Sequence, residues 1–311
     1  MRLRPVGTFA GVWGVTLVAI GFDFRWARAR GFSILHGWPV SLWKIVTVSL
    51  ACCLVLLALS RIARYARVAD RLRCAELAAA VFCLLTIVVW AQTVSIAEYI
   101  GIGLGLPSNA ALLVRLDHAL GFDWPHAYRW VGAHPRLQTV LRWAYFSAYF
   151  QLLAIPFVLA VARRVEAIAE FLVVLVAASI LLMLISIPFP AESAFLYYGV
   201  TDPGTSSTVS HYEPLRLGVL RAVDPFAVQG LVSMPSFHTM LAMFFAWAVR
   251  RVRGVFPFAL ALNALMIMAT LTVGGHYLVD LLAGLACGAA VIAGVSGLRR
   301  PAPRRVTGSF S

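Results

Sequence analysis

The chain has 311 residues, of which 61% are hydrophobic and only 13% charged, with a mean hydropathy of +0.85 and a formal net charge of +13. A soluble domain averages roughly 45–50% apolar and about 25% charged residues, so these figures exclude a pair of soluble domains, a disordered chain and a small disulfide scaffold. Lipid must be the main solvent. The charge does not point to nucleic acid, because Lys44 is the sole lysine and the arginines bunch in short stretches between apolar runs.

A bilayer-crossing helix needs about 20 mostly apolar residues. In chain order the predicted spans are 8–22, 42–60, 76–98, 139–161, 167–189, 235–249, 255–274 and 277–297, the first and sixth being short. Eight spans place both termini on one side. With the N-terminus cytoplasmic, the inside segments carry 16 of the 26 basic residues against four acids (Asp70, Glu76, Glu166, Glu170), and the outside segments carry ten against eight. That bias predicts cytoplasmic termini and external loops at 99–138 and 190–234, in a bacterial inner membrane or its equivalent.

Arg25, Arg28 and Arg30 in the first external loop run against the rule. The N-terminal run up to Ala27-Arg28-Ala29 also resembles a secretory signal with a small-residue cleavage site. The external stretch 105–138 is expected to hold a short amphipathic helix on the membrane surface. The tail 299–311 (RRPAPRRVTGSFS) is expected to be basic and disordered. The cysteines Cys52, Cys53, Cys74, Cys83 and Cys287 form no C-x-x-C pair and read as small hydrophobes.

Ionisable residues inside apolar spans are expensive and are functional candidates by default. Two segments carry them. Ser233-Met-Pro-Ser236-Phe237-His238 opens the sixth span, with Pro235 suited to a first helical turn. The free N–H groups of Ser236 and Phe237 would then sit at a helix N-terminus, which attracts anions. Gly274-Gly275-His276-Tyr-Leu-Val-Asp280 joins spans seven and eight. His276 and Asp280 are four residues apart and share a helix face, so the carboxylate can take one imidazole N–H and leave the other nitrogen as nucleophile or base. The glycine pair is expected to leave room for close approach of a ligand. Span six starts outside and span seven ends outside, so both segments meet at one interface. Two histidines and an aspartate are also acceptable zinc ligands. The helix-start anion site beside a His–Asp pair argues instead for phosphate chemistry without metal.

At these residues the chain resembles the type-2 phosphatidic acid phosphatase superfamily, whose motifs are P-S-x-H and S-R-x5-H-x3-D. Pro235-Ser236-Phe237-His238 and His276-Tyr-Leu-Val-Asp280 stand in that order with one span between them. The resemblance implies an all-α, polytopic membrane protein with a six-helix core over 76–298; the N-terminal transmembrane pair and basic loop over 1–75 lie outside it. It implies that His276 takes the phosphoryl group, Asp280 orients it and His238 protonates the leaving alkoxide. Ser236 and Phe237 would form part of the phosphate cradle, with no cofactor.

Two departures stand out. The family's K-x6-R-P motif is absent, and Ala269-Thr270 replaces its Ser-Arg. His-Tyr-x-x-Asp without that arginine resembles the inositol phosphorylceramide synthase and sphingomyelin synthase branch, the inositolphosphotransferase type. Arg216 and Arg221 are the candidate replacement cations. The expected partners are the bilayer, a lipid phosphate and a lipid alcohol acceptor. The rival reading is a non-catalytic lipid carrier or scramblase on the same fold.

Overall fold

A computed structural model describes residues 5–35, 37–202, 210–227, 229, 231 and 233–297. The basic tail therefore lies outside the described residues, as do Arg2 and Arg4. The predicted spans form eight helices: α1 (Pro5–Ala29), α2 (Trp38–Arg61), α4 (Cys74–Ile102), α7 (Pro135–Val161), α8 (Val165–Ser186), α11 (Phe237–Val249), α12 (Phe256–Thr272) and α13 (Leu278–Gly297). Six are long and apolar enough to cross a membrane, and α11 and α12 are shorter apolar helices. The chain is an all-α polytopic membrane protein.

The connections carry short helices: α3 (Ala66–Arg71), α5 (Ala110–Ala119), α6 (Trp124–Gly132), α9 (Ala194–Tyr197) and α10 (Tyr212–Arg216). The surface helix expected within 105–138 is thus two, α5 and α6. Asp123 caps α6, its carboxylate accepting from the His126 amide at 2.7 Å. The one sheet among the described residues was not expected: a parallel pair of β1 (Ser33–Ile34) and β2 (Ala222–Val223).

The core lies where α8 and α11 meet. Ile168, Phe171, Leu172 and Val174 of α8, with Met240, Phe244 and Phe245 of α11, have no exposed surface. Around them stand α4, α7, α12 and α13, while α1 packs on α4 and α8, and α2 on α4. Buried Phe9 and Ala27 show that α1 is seated on this body at both ends. Lipid exerts no hydrophobic force between helices, so close backbone approach and polar bonds must join them. Gly284 and Gly288 of α13 serve the first need. A Cβ at Gly284 would lie 2.7 Å from the Ser236 carbonyl oxygen, and one at Gly288 would lie 2.7 Å from Met243 Sδ. Asn263 of α12 serves the second, donating to Gln151 Oε1 of α7 at 2.8 Å.

Loop contacts agree with the alternating spans. At one end of the bundle Arg163 pairs with Asp70, and Arg164 donates to the Arg251 carbonyl oxygen. At the other end Asn109 bonds the Pro190 carbonyl oxygen, and β1 pairs with β2.

Candidate active site

The two polar segments come together at the second of these ends. Ser236 is the N-cap of α11. Its Oγ accepts from the Thr239 hydroxyl at 3.1 Å and the Thr239 amide at 3.4 Å, which leaves the serine hydrogen free to donate. Its own amide donates to the Asp280 carbonyl oxygen at 3.1 Å, tying the start of α11 to the first turn of α13. Phe237 and His238 occupy the first helical turn, where amides have no intrahelical acceptor.

His276 lies just before α13 and is 6% exposed. Its Nδ1 is 3.0 Å from the Ser233 carbonyl oxygen and 3.4 Å from Asp280 Oδ2. A carbonyl oxygen can only accept, so the geometry assigns the proton to Nδ1 and a lone pair to Nε2. The spacing argument gave this orienting role to Asp280 alone. In the structure the Ser233 backbone shares it at the shorter distance.

Asp280 has no exposed surface. Its Oδ2 accepts from the Ser233 hydroxyl at 2.5 Å and the Tyr277 amide at 3.0 Å, while Oδ1 is buried without a hydrogen-bond partner among the described residues. Ser233 therefore touches both members of the pair, bonding Asp280 through its side chain and His276 through its carbonyl.

His238 is reached through α7. Tyr145 stacks on its ring with centroids 4.3 Å apart at 18°, and the Tyr145 hydroxyl is 3.5 Å from His238 Nδ1. A Cβ at Gly274 would meet Tyr145 Cε2 at 2.8 Å and His276 Cδ2 at 3.1 Å. At Gly275, whose φ is +69°, a Cβ would run into the Phe195 ring. The glycine pair was expected to make room for a ligand. Its space is instead filled by Tyr145 and Phe195, so the glycines bring the His276 turn against these two rings.

A second layer fixes the start of α13. Asp117 of α5 is 2% exposed, and its carboxylate oxygens accept from the Leu278 and Val279 amides at 2.9 Å each. It acts as a helix N-cap supplied from another element. Burial raises its pKa above the usual carboxylate value, and the Val279 and Leu278 N–H groups oppose that rise. Trp124 of α6 closes the end of α12, donating to the Leu271 carbonyl oxygen at 2.8 Å between the stacked rings of Tyr128 and Tyr198.

The candidate phosphate-binding arginines lie elsewhere. Arg216 pairs with Glu213 at 3.5 Å. Arg221 lies 4.8 Å over the Phe32 ring, and its Nη1 donates to the Gly103 carbonyl oxygen at 3.4 Å. The Arg221 contacts fasten the loop before α11 beside the ends of α4 and β1, while the Arg216 pair is internal to α10. Another cation lies on α7. Arg142 shares one face of that helix with Gln138 and Tyr145, at i−4 and i+3, and its Nε is buried without a hydrogen-bond partner among the described residues. The LRWAYF run carrying it reads simply as a span with one arginine near its external end.

Inside an apolar helical bundle the start of α11, with His238 in its first turn, stands against the His276 turn that precedes α13. Residues 111–294 match the PAP2 superfamily. The chain belongs to that superfamily, whose members are generally phosphatases. The matched stretch begins within α5 and takes in all three triad positions, leaving α1–α4 outside it. No curated protein and no solved structure matches the chain.

Proposed function

We propose that the protein is an integral-membrane phosphatase or phosphotransferase that acts on a lipid phosphate at the external face through a phosphohistidine at His276. The observation that carries this reading is the Nδ1 contact to the Ser233 carbonyl oxygen, which leaves Nε2 as the free nitrogen. Nε2 attacks phosphorus in line, the ester P–O bond breaks, and His238 gives its proton to the departing alkoxide. Asp280 stabilises the cationic imidazole, while Ser236 and the Phe237 amide hold the phosphoryl oxygens. His238 then takes a proton from the acceptor, which breaks the P–N bond. Water as acceptor makes the enzyme a phosphatase, and a lipid alcohol makes it a transferase of the inositolphosphotransferase type.

Arg142 is the cation we assign to the phosphate in place of the family's missing arginines. Its Nε is buried without a hydrogen-bond partner among the described residues and it lies three positions before the tyrosine stacked on His238, whereas Arg216, whose Nε also lacks a hydrogen bond there, is ion-paired with Glu213, and Arg221 donates to the Gly103 carbonyl oxygen. We take α4 into the catalytic core together with α7–α13, because it packs on both α7 and α8. The arginine distribution supports cytoplasmic termini.

The test is turnover by purified protein of phosphatidic acid, phosphatidylinositol and a prenyl diphosphate, with ceramide or diacylglycerol as acceptor. Free phosphate and new phospholipid are followed together, with EDTA and a His276→Ala control. Free phosphate lost in the variant identifies a metal-independent phosphatase, and new phospholipid with little free phosphate identifies a transferase. Activity lost to EDTA would restore the zinc reading. Full activity in His276→Ala would overturn the mechanism, and lipid movement indifferent to His238→Ala and Asp280→Ala would favour a carrier.

A further inference from the structure

The end of the bundle opposite the triad holds a cavity of about 270 Å³, lined by Arg163, Arg164, Glu166, Glu170, Arg250 and Arg251. It sits where α7 turns into α8 and α11 ends, about 20 Å along α11 from Ser236 at the ordinary helical rise. Four arginines face two glutamates there. One glutamate is committed, since Glu170 Oε2 accepts from Arg250 Nη2 at 3.5 Å.

The cations are held in place. Arg163 is pinned by Asp70 at 3.1 Å, and Arg164 donates to the Arg251 carbonyl oxygen at 3.2 Å. The Arg250 guanidinium lies 3.8 Å over the Trp247 ring. Among the described residues neither Arg164 nor Arg251 has an ion-pair partner. The first turn of α8 lines the same cavity through Val165 and Ala167, and no side chain caps it. The helix dipole at this end adds to the positive field, which Glu166 offsets in part.

Burial first, and then the like charges of Arg251 and Arg164, push the Arg250 guanidinium down to about 10. Cations fixed around a polar cavity and repelling one another are a site short of an anion. Guanidinium groups match phosphate oxygens in geometry as well as charge. Val161, 57% exposed two residues before Arg163, offers apolar surface beside the cavity for an acyl chain.

We propose that this cavity binds the phosphate of an anionic phospholipid from the leaflet at that end, the cytoplasmic one by the arginine distribution. The site is independent of the phosphohistidine reading. It joins the start of α8 to the end of α11, so an occupying headgroup braces the helix that carries Ser236 and His238.

Native mass spectrometry of the purified full-length protein, with equal amounts of phosphatidylglycerol and phosphatidylcholine, tests it. The wild type is expected to retain phosphatidylglycerol preferentially. Arg164→Gln with Arg251→Gln leaves the Arg250–Glu170 pair intact and should weaken that binding about tenfold. Arg129→Gln with Arg136→Gln, at the opposite end, should leave it unchanged. Equal retention of the two lipids, equal loss in both double variants, or displacement of phosphatidylglycerol by inorganic phosphate would overturn the proposal. Should the first double variant lose its fold, Arg251→Gln alone, at an exposed position, carries the comparison.

Discussion

Helices α2 and α4 have nearly the same mean hydropathy, 2.3 and 2.2, yet 6% of the apolar window is buried in the first and 50% in the second. The difference lies in their polar groups. Thr47 and Ser60 of α2 bond carbonyl oxygens of their own helix, and among the described residues its bonds to another element, from Trp38 and Cys53, run to α4 alone. On α4, Gln92 accepts from the Trp38 indole, Glu98 from the Leu231 amide, and the Tyr99 hydroxyl meets the His211 ring. Hydropathy identifies what enters lipid, while polar groups bonded across elements identify what the protein is built around. The same contrast separates α2 from the end where the two polar segments meet, where Ser233 and Asp117 both bond to other elements.

The sharpest way to break this comparison is at its polar extreme. His276→Ala should lower turnover of the lipid phosphate by roughly 10⁴-fold or more while leaving the fold intact, as removal of a nucleophile does. Arg142→Gln should cost roughly a hundredfold in kcat/KM, the loss expected when one strong donor to a reacting phosphate is removed. If Arg221→Gln costs more than Arg142→Gln, the assignment of the cation reverts to the loop. Ser233→Ala removes the hydroxyl on Asp280 but keeps the carbonyl on His276, so kcat should fall about tenfold with little change in KM.

Gly284→Ala should lower stability by about 1–3 kcal/mol, seen as an earlier thermal transition in detergent, because the new methyl meets the Ser236 backbone. At the apolar extreme, Leu54 of α2 is 67% exposed to lipid. Leu54→Ala should shift stability by less than about 0.5 kcal/mol and leave turnover unchanged. A large effect there would mean that α2 has a partner beyond α4.

The eight spans were legible because continuous apolar runs set helix ends locally: 42–60 was expected and Trp38–Arg61 is found. The two polar segments were legible because each is short and interrupts an apolar run, and the structure brings them together. What escaped the sequence is non-local. Asp117 caps a helix 161 residues further along, and Tyr145 stacks on a histidine 93 residues away. Ser233 acts on His276 through a backbone carbonyl, which no residue identity announces. Arg216 and Arg221 were expected from their place in the chain before α11; in the structure Arg216 pairs with Glu213, and Arg221 meets Phe32 and Gly103.

Rapid-quench labelling tests the central claim most directly. Wild-type and His276→Ala protein are mixed with phosphatidic acid carrying a labelled phosphate, quenched in alkali, and the bound label is mapped by mass spectrometry. The account predicts an alkali-stable, acid-labile phosphoryl group on His276 in the wild type, and neither label nor product in the variant. Product formed by His276→Ala at the wild-type rate, or label on another residue, would contradict it.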